Sequence, residues 1–280
     1  MKRAPFALTF ALTFALTMVA LAVMVPLRPH AEEPDALSRA KAKGGLTACV
    51  DPFNFPFSAN DSEPPGFDVE IARALAQRAG LRAQLYWADT GTRGGLGRAL
   101  RQSILASKCD FFMGIGVDDE EELKEKKLVL TRPYLGLGYI LLVQGTAAGA
   151  TKLADLKNTK IAVPMSTPVD AFLFDNKYDR ALYRWNREIM KAMAQGEIDA
   201  GMVWSPSVAV GRREHPNGKF NPIPGYKPEP GLRWNLAIAV PDSEPAMKQL
   251  LDDSIDALLK SGEIQKIVER YNFPYYPPFQ

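Results

Sequence analysis

Apolar and polar positions along this chain follow two periods that take turns. Leu46–Val50 in "GLTACV" is a short apolar-rich run and reads as a strand. "GFDVEIARALAQRAG" (66–80) spaces Ile71, Ala74 and Leu75 helically, with Asp68 near the N-terminus and Gly80 as a stop. "LRAQLYW" (81–87) alternates at period two and predicts a strand. "LGRALRQSILAS" (96–107) is helical again, with Leu100, Ile104 and Leu105 on one face. "CDFFMGIGV" (109–117) is a continuous apolar run, as expected for a strand covered on both faces. Strand, helix, strand, helix, strand predicts a parallel sheet with helices packed on it. Between the first strand and the first helix, "DPFNFPFSAN" places Phe53, Phe55 and Phe57 among prolines, a pattern that excludes regular structure there.

"YLGLGYILLVQG" (134–145) is a further strand region, after which the alternation restarts. "KIAVPM" and "IDAGMVW" read as strands; "TPVDAFLFD", "NREIMKAMAQG" and "SPSVAVGRR" read as helices. Residues 215–231 are rich in Pro and Gly and read as irregular surface. "LAIAV" (236–240) is again a strand, and two amphipathic helices, 246–260 and 263–271, split at Ser261-Gly262, end the chain. The expected fold class is α/β, with two αβ lobes: residues 44–141 plus 234–280 in lobe 1, and 142–233 in lobe 2. Two crossing segments form the hinge, and a cleft lies between the lobes. Ligands of open parallel sheets bind at the carboxyl ends of the strands. Those ends include the loop after Val50, the 87–95 loop, 114–118 and the Trp204-Ser205-Pro206 turn.

The N-terminal segment changes the cellular picture. Lys2 and Arg3 precede an uncharged run over 4–27 in which Phe-Ala-Leu-Thr occurs three times. Residues 1–31 therefore read as a secretory signal, with an uncleaved N-terminal anchor as the alternative, since the run is long enough to span a bilayer. Either reading puts the remainder in the periplasm. The segment holds three of the 34 basic residues, leaving 31 against 32 acids. A near-neutral mature chain gives no reason to expect nucleic acid, or a membrane beyond that first segment, as partner. Two cysteines, Cys49 and Cys109, in an exported chain are expected to form a disulfide; two buried thiols are the alternative.

Candidate chemistry is sparse. Beyond the export segment the only histidine is His215, in the turn-like "REHPNG", which offers no oriented base. One histidine and no Cys-x-x-Cys argue against zinc. "GGLGRAL" is half a dinucleotide fingerprint, with Leu100 where the third glycine belongs. "VDDEEELKEKK" (117–127) lacks the spacing of a calcium loop; acids opening a helix that closes in lysines read as a solvated helix. No metal, no cofactor and no catalytic residue is expected, and the chain is read as a non-enzyme. Trp87 and Trp204 fall at strand ends, as either core packing or an aromatic cleft wall.

"CVDPFNFPFSANDSEPPGFDVEIARALA", "CDFFMGI", "TRPYL", "GEIDAGMVW" and "LLKSGEIQKIVERYN" resemble the periplasmic solute-binding proteins of family 3 over nearly the whole mature chain. The resemblance implies a bilobal type II periplasmic-binding-protein fold, as in binders that feed amino-acid ABC transporters. Three anchors common in those binders depart here. Asn54 stands where an aromatic stacks on the ligand, Glu121 and Lys124 where a threonine and a carboxylate-gripping arginine are usual, and Trp204 where an acid pairs with the α-ammonium. "CVDPFNFPFS", "KCD", "TRPY", "DAGMVWSP" and the tail "RYNFPYYPPF" are similar to the accessory proteins of pyrroloquinoline-quinone alcohol dehydrogenase systems, the J proteins of methanol oxidation. That branch implies a periplasmic quinoprotein dehydrogenase as partner; the alternative is an ABC permease, with a small polar solute in the cleft. The candidate ligand-binding residues are Asp51, Asn54, Phe55, Trp87, Arg93 and Thr131 from lobe 1, facing Ser166, Thr167, Trp204 and Ser205 from lobe 2.

Overall fold

A computed structural model describes residues 34–272 and 274–280; the expected signal, 1–31, lies outside them. Among the described residues no helix is long and apolar enough to cross a membrane. A short helix α1 (Ala36–Lys43) leads into β1 (Gly45–Val50), β2 (Phe53–Asn54), β3 (Ser58–Ala59), α2 (Phe67–Arg78), β4 (Arg82–Trp87), α3 (Gly95–Gln102), β5 (Phe111–Gly116), α4 (Glu120–Glu125), β6 (Leu128–Leu130) and β7 (Leu135–Val143). There follow β8 (Ile161–Pro164), α5 (Pro168–Asp175), β9 (Arg180–Tyr183), α6 (Asn186–Ala194), β10 (Ala200–Trp204), α7 (Pro206–Glu214), β11 (Asn221–Pro222), β12 (Arg233–Pro241), α8 (Pro245–Lys260) and α9 (Glu263–Arg270).

One sheet runs through the molecule in the order β4-β1-β5-β12-β7-β10-β8-β9. β1 lies parallel between β4 and β5 and is buried along its length. Its residues alternate between two cores: Leu46, Ala48 and Val50 pack with α2, α8 and α9, while Cys49 packs on the opposite face with α3 and α4. That double burial is why β1 reads as a continuous apolar run. Truncating a fully buried side chain such as Ile71 of α2 to alanine costs about 2–5 kcal/mol. A disulfide joins Cys49 to Cys109 across the second face, with Cα atoms 5.7 Å apart.

β5 breaks its own alternation. Phe111 and Met113 join the first core and Phe112 the second, but Ile115 also joins the second. The register against β12 accounts for this. Ala239 pairs with Phe112 and Ala237 with Ile115, so β5 carries one extra residue over that stretch. Gly114, at φ +75°, takes up the extra residue as a bulge. A Cβ there would come 2.9 Å from Asp68 Oδ2, so glycine also keeps that carboxyl uncovered.

Two long strands pass between the halves. β7 pairs with β12 through Leu135–Gly138 and with β10 through Tyr139–Val143. β12 begins on β7 and continues onto β5 and β6. The C-terminal tail crosses both. The Gly136 N–H donates to the Tyr276 carbonyl at 3.0 Å. Asn235 and the Phe279 backbone exchange two 2.8 Å hydrogen bonds.

Several elements differ from the sequence expectation. The phenylalanine segment closes into a small hairpin, with Phe53 opposite Ala59 and Asn54 opposite Ser58. The expected helix over 96–107 ends at Gln102, because the buried Ser103 turns its hydroxyl onto the Ala99 carbonyl at 2.6 Å and the chain tightens into one 3₁₀ turn. β9 stands between two helices where no strand is predicted, and α1 and β6 are additional.

Candidate functional site

The loop after β1 and the bulge in β5 enclose a small cavity of about 150 Å³, lined by Asp51, Asn54, Ser58, Asp68, Thr90 and Gly114 among others. Asp51 follows the last residue of β1 and is buried. Its Oδ1 accepts the Phe53 N–H at 2.7 Å, and its Oδ2 accepts the Thr90 N–H at 2.8 Å and the Thr90 hydroxyl. The carboxylate therefore ties the hairpin to the loop after β4. Asp68, on the first turn of α2, is 2% exposed. It accepts the Tyr134 hydroxyl at 2.7 Å. Burial pushes its pKa up to about 7, only partly offset by that hydrogen bond, so the fold favours the neutral acid. Burial and the neighbouring Asp68 carboxyl together raise the Tyr134 pKa well above that of a free phenol. Among the described residues no lysine or arginine lines this cavity.

A second crevice, of about 200 Å³, lies where the hairpin of the first half meets α6 and α7 of the second. Phe55, Phe57, Met190, Trp204, Pro206 and Val210 give it an apolar wall, and Asn54 lines both this crevice and the first cavity. Arg187 and Glu214 at its edge pair at 2.8 Å. Trp204 packs edge-on with Tyr139 and Trp234, centroids 5.7 and 5.3 Å away, and touches the cores of both halves. Beside the crevice the Arg213 guanidinium sits 3.9 Å over the Phe55 ring and donates to Ser62 at 3.3 Å. Arg212 donates to the Asn272 carbonyl at 2.8 Å.

The expected ligand residues do not all gather. Asp51 and Asn54 line the first cavity, and Asn54, Phe55 and Trp204 line the second. Thr131 departs from expectation. It is buried, accepts the Ile238 N–H at 3.0 Å and donates to the Arg132 carbonyl, so its hydroxyl is spent inside the sheet. Ser205 departs likewise: it is fully buried and accepts the Gly138 N–H at 3.3 Å. Trp87 lines a separate depression with Arg98 and Gln102, and Arg93 is an exposed loop residue that lines neither cavity. Ser166 and Thr167 cap α5. The Ser166 N–H donates to Asp170 at 2.9 Å, and the Thr167 hydroxyl donates to the Pro164 carbonyl at 2.6 Å. Lys124 pairs with Glu120 and Glu121 on the exposed α4. Asp68 and Thr90 line the first cavity and Arg213 flanks the second, and none of the three stands out in the sequence as a ligand residue. The only sequence signal was that Asp68 opens a helix, which its dipole explains equally well.

One continuous sheet, two strands passing between its halves and cavities at the strand ends define a bilobal binding-protein fold of the periplasmic type. The chain belongs to the bacterial extracellular solute-binding proteins, family 3, whose profile matches residues 46–274. It is 26% identical over 261 residues to the L-cystine-binding protein TcyJ of Escherichia coli (strain K12), covering 90% of this chain and 91% of that one. Among solved structures it is similar to the unliganded, open L-cystine solute receptor of Neisseria gonorrhoeae, with TM-score 0.69, 17% identity, and 85% and 97% of the two chains covered. It is also similar to the periplasmic binding protein XoxJ from Methylobacterium extorquens AM1, with TM-score 0.58, 21% identity, and 83% and 100% covered. These two likenesses concern the fold.

Proposed function

We propose that this chain is a periplasmic binding-type accessory protein of a quinoprotein alcohol dehydrogenase system, and that its cleft does not hold a free α-amino acid. The observation that carries the second half is the lobe-one cavity, which has the carboxyls of Asp51 and Asp68 and no guanidinium. An α-carboxylate entering it would meet two carboxyl groups and no cationic fork, and the guanidinium that lines the adjoining crevice, Arg187, is already paired with Glu214. Asn54 cannot stack as an aromatic ring would, and Trp204 brings no carboxylate to form an ion pair with an α-ammonium. Lys124 is engaged with two glutamates on an exposed helix. The first half rests on the resemblance of the motifs "CVDPFNFPFS", "KCD" and "DAGMVWSP" to those of the accessory branch. On this reading Asn54, Phe55 and Trp204 form the contact surface, and the crevice between the hairpin and α7 receives an apolar group of the partner or of a small molecule. No cofactor is required.

The second reading is a transporter-linked binder working by lobe closure, favoured by the 26% identity to an L-cystine-binding protein. Affinity capture of the tagged protein from its native periplasm tests the first reading. A quinoprotein dehydrogenase retained by the wild type and lost with Trp204→Ala supports it. A clean monomer from cells expressing that dehydrogenase contradicts it.

A further inference from the structure

The large apolar side chains exposed on the described surface are unevenly spread. They are Phe53, Leu105, Met165, Phe174, Leu182 and Trp185, and four of the six fall within residues 165–185. Those four share one margin of the second half. Leu182, 51% exposed, lies on β9, the terminal strand of the sheet. Phe174, 63% exposed, is on the last turn of α5, which packs beside β9. Met165 follows β8, and its N–H donates to the Tyr183 carbonyl at 2.8 Å. Trp185, 60% exposed, comes two residues after β9 ends. β9 pairs only with β8, so its outer backbone edge has no strand neighbour among the described residues. Sheet edges usually suppress such pairing with charge or cover, and an edge flanked by bare aromatic and aliphatic groups invites a partner strand.

Charge says what kind of strand. Residues 157–188 contain six basic side chains and four acidic ones, on a mature chain whose basic and acidic residues nearly balance. Lys160, Arg180 and Arg187 are held by Asp179, Asp170 and Glu214. Among the described residues Lys157, Lys177 and Arg184 have no carboxylate within ion-pair distance, against two carboxylates without a cation, Asp175 and Glu188, the latter accepting the Arg184 and Trp185 N–H groups. Guanidinium groups also lie over the exposed rings, with Arg180 4.7 Å from Phe174 and Arg184 5.3 Å from Trp185. We infer that the β9 edge is a protein-docking surface that takes an extended segment, with apolar side chains on one face and acidic ones flanking them, added as a further strand. An anionic lipid would also meet the basic and aromatic groups, but it cannot use the backbone donors and acceptors of an open edge.

The probes are two synthetic decapeptides. One alternates Val and Phe with Glu, and the other carries Lys in place of Glu. Each is titrated into ¹⁵N-labelled protein. The acidic peptide is expected to shift the amides of 180–184 and the Trp185 indole, and to weaken about tenfold or more on raising salt, as charge-steered contacts do. The Lys peptide is expected to leave them unmoved. Leu182→Asp should weaken the acidic peptide about tenfold with an unchanged melting temperature, since the side chain is half exposed. Equal binding of both peptides, shifts confined outside 165–185, or no shift at millimolar peptide would overturn the proposal. So would binding of anionic phosphatidylglycerol vesicles through Leu182 and Trp185 in place of the acidic peptide.

Discussion

Asp68 is the residue whose environment says most. Its buried side chain has one hydroxyl donor, from Tyr134, and no cation among the causes that set its charge. A carboxyl raised to about 7 from an ordinary 3.8 binds its proton more tightly in the folded than in the unfolded chain. Its contribution to stability is therefore full below about pH 4 and is lost as pH rises through 7. Asp68→Asn keeps an acceptor for Tyr134 and removes the titration. Urea unfolding between pH 5 and 8 should show the wild-type midpoint falling with pH more steeply than that of the variant. Parallel slopes would mean that Asp68 is not buried as described. The sequence exposed only the position of Asp68 near a helix start. Its burial depends on the β5 bulge, and a lone glycine in an apolar run does not announce which neighbour it makes room for. Asn54 was more legible, because its place relative to Asp51 can be counted along the chain.

At the scale of elements, the hairpin β2–β3 carries the wall of the crevice and rests on Gly66. That glycine has φ +108°, and a Cβ on it would lie 2.3 Å from the Phe57 carbonyl oxygen. Gly66→Ala is expected to cost about 3 kcal/mol, from strain plus a backbone clash, read as a lower denaturant midpoint. A loss below about 0.5 kcal/mol would mean that the hairpin does not sit against α2. The strand-helix alternation of the first half was readable because each period persists for several residues, and buried strands such as β1 and β5 are apolar throughout. β9 was not readable. Four residues between two helices, with Arg180 and an exposed Leu182, show neither alternation nor a continuous apolar run, and only pairing with β8 makes them a strand. The hairpin was hidden for a related reason: each of its strands is two residues long, β2 being anchored by the Phe53 N–H donating to Asp51 and β3 by the Ala59 N–H donating to the Pro65 carbonyl.

At the scale of the molecule, the two halves are joined by β7 and β12, and the tail spans both. A side chain at Gly136 would come 2.7 Å from the Pro277 carbonyl oxygen, so the tail lies flat on the strand. The Tyr276 hydroxyl reaches onward to the Tyr226 carbonyl at 3.1 Å, in the second half. The tail should therefore resist bending between the halves. Truncation after Asn272 is expected to speed amide exchange over 135–139 about tenfold or more and to widen the interlobe distance distribution read by paired spin labels. Unchanged distances would show that the strands alone set the angle. The bilobal plan was legible from the restart of the alternation after residue 145. The tail's course was not, since Pro-rich aromatic sequence specifies no partner until the strands it lies on are in place.

The central claim is that the cleft has lost the means to hold a free α-amino acid. Thermal unfolding of the purified protein in the presence of L-cystine and a panel of the common amino acids tests it most directly, because a ligand that binds only the folded form must raise the melting temperature. No member of the panel is expected to shift it at millimolar concentration. A saturable rise of several degrees with L-cystine, or with any one amino acid, abolished by Asp51→Ala, would contradict the account.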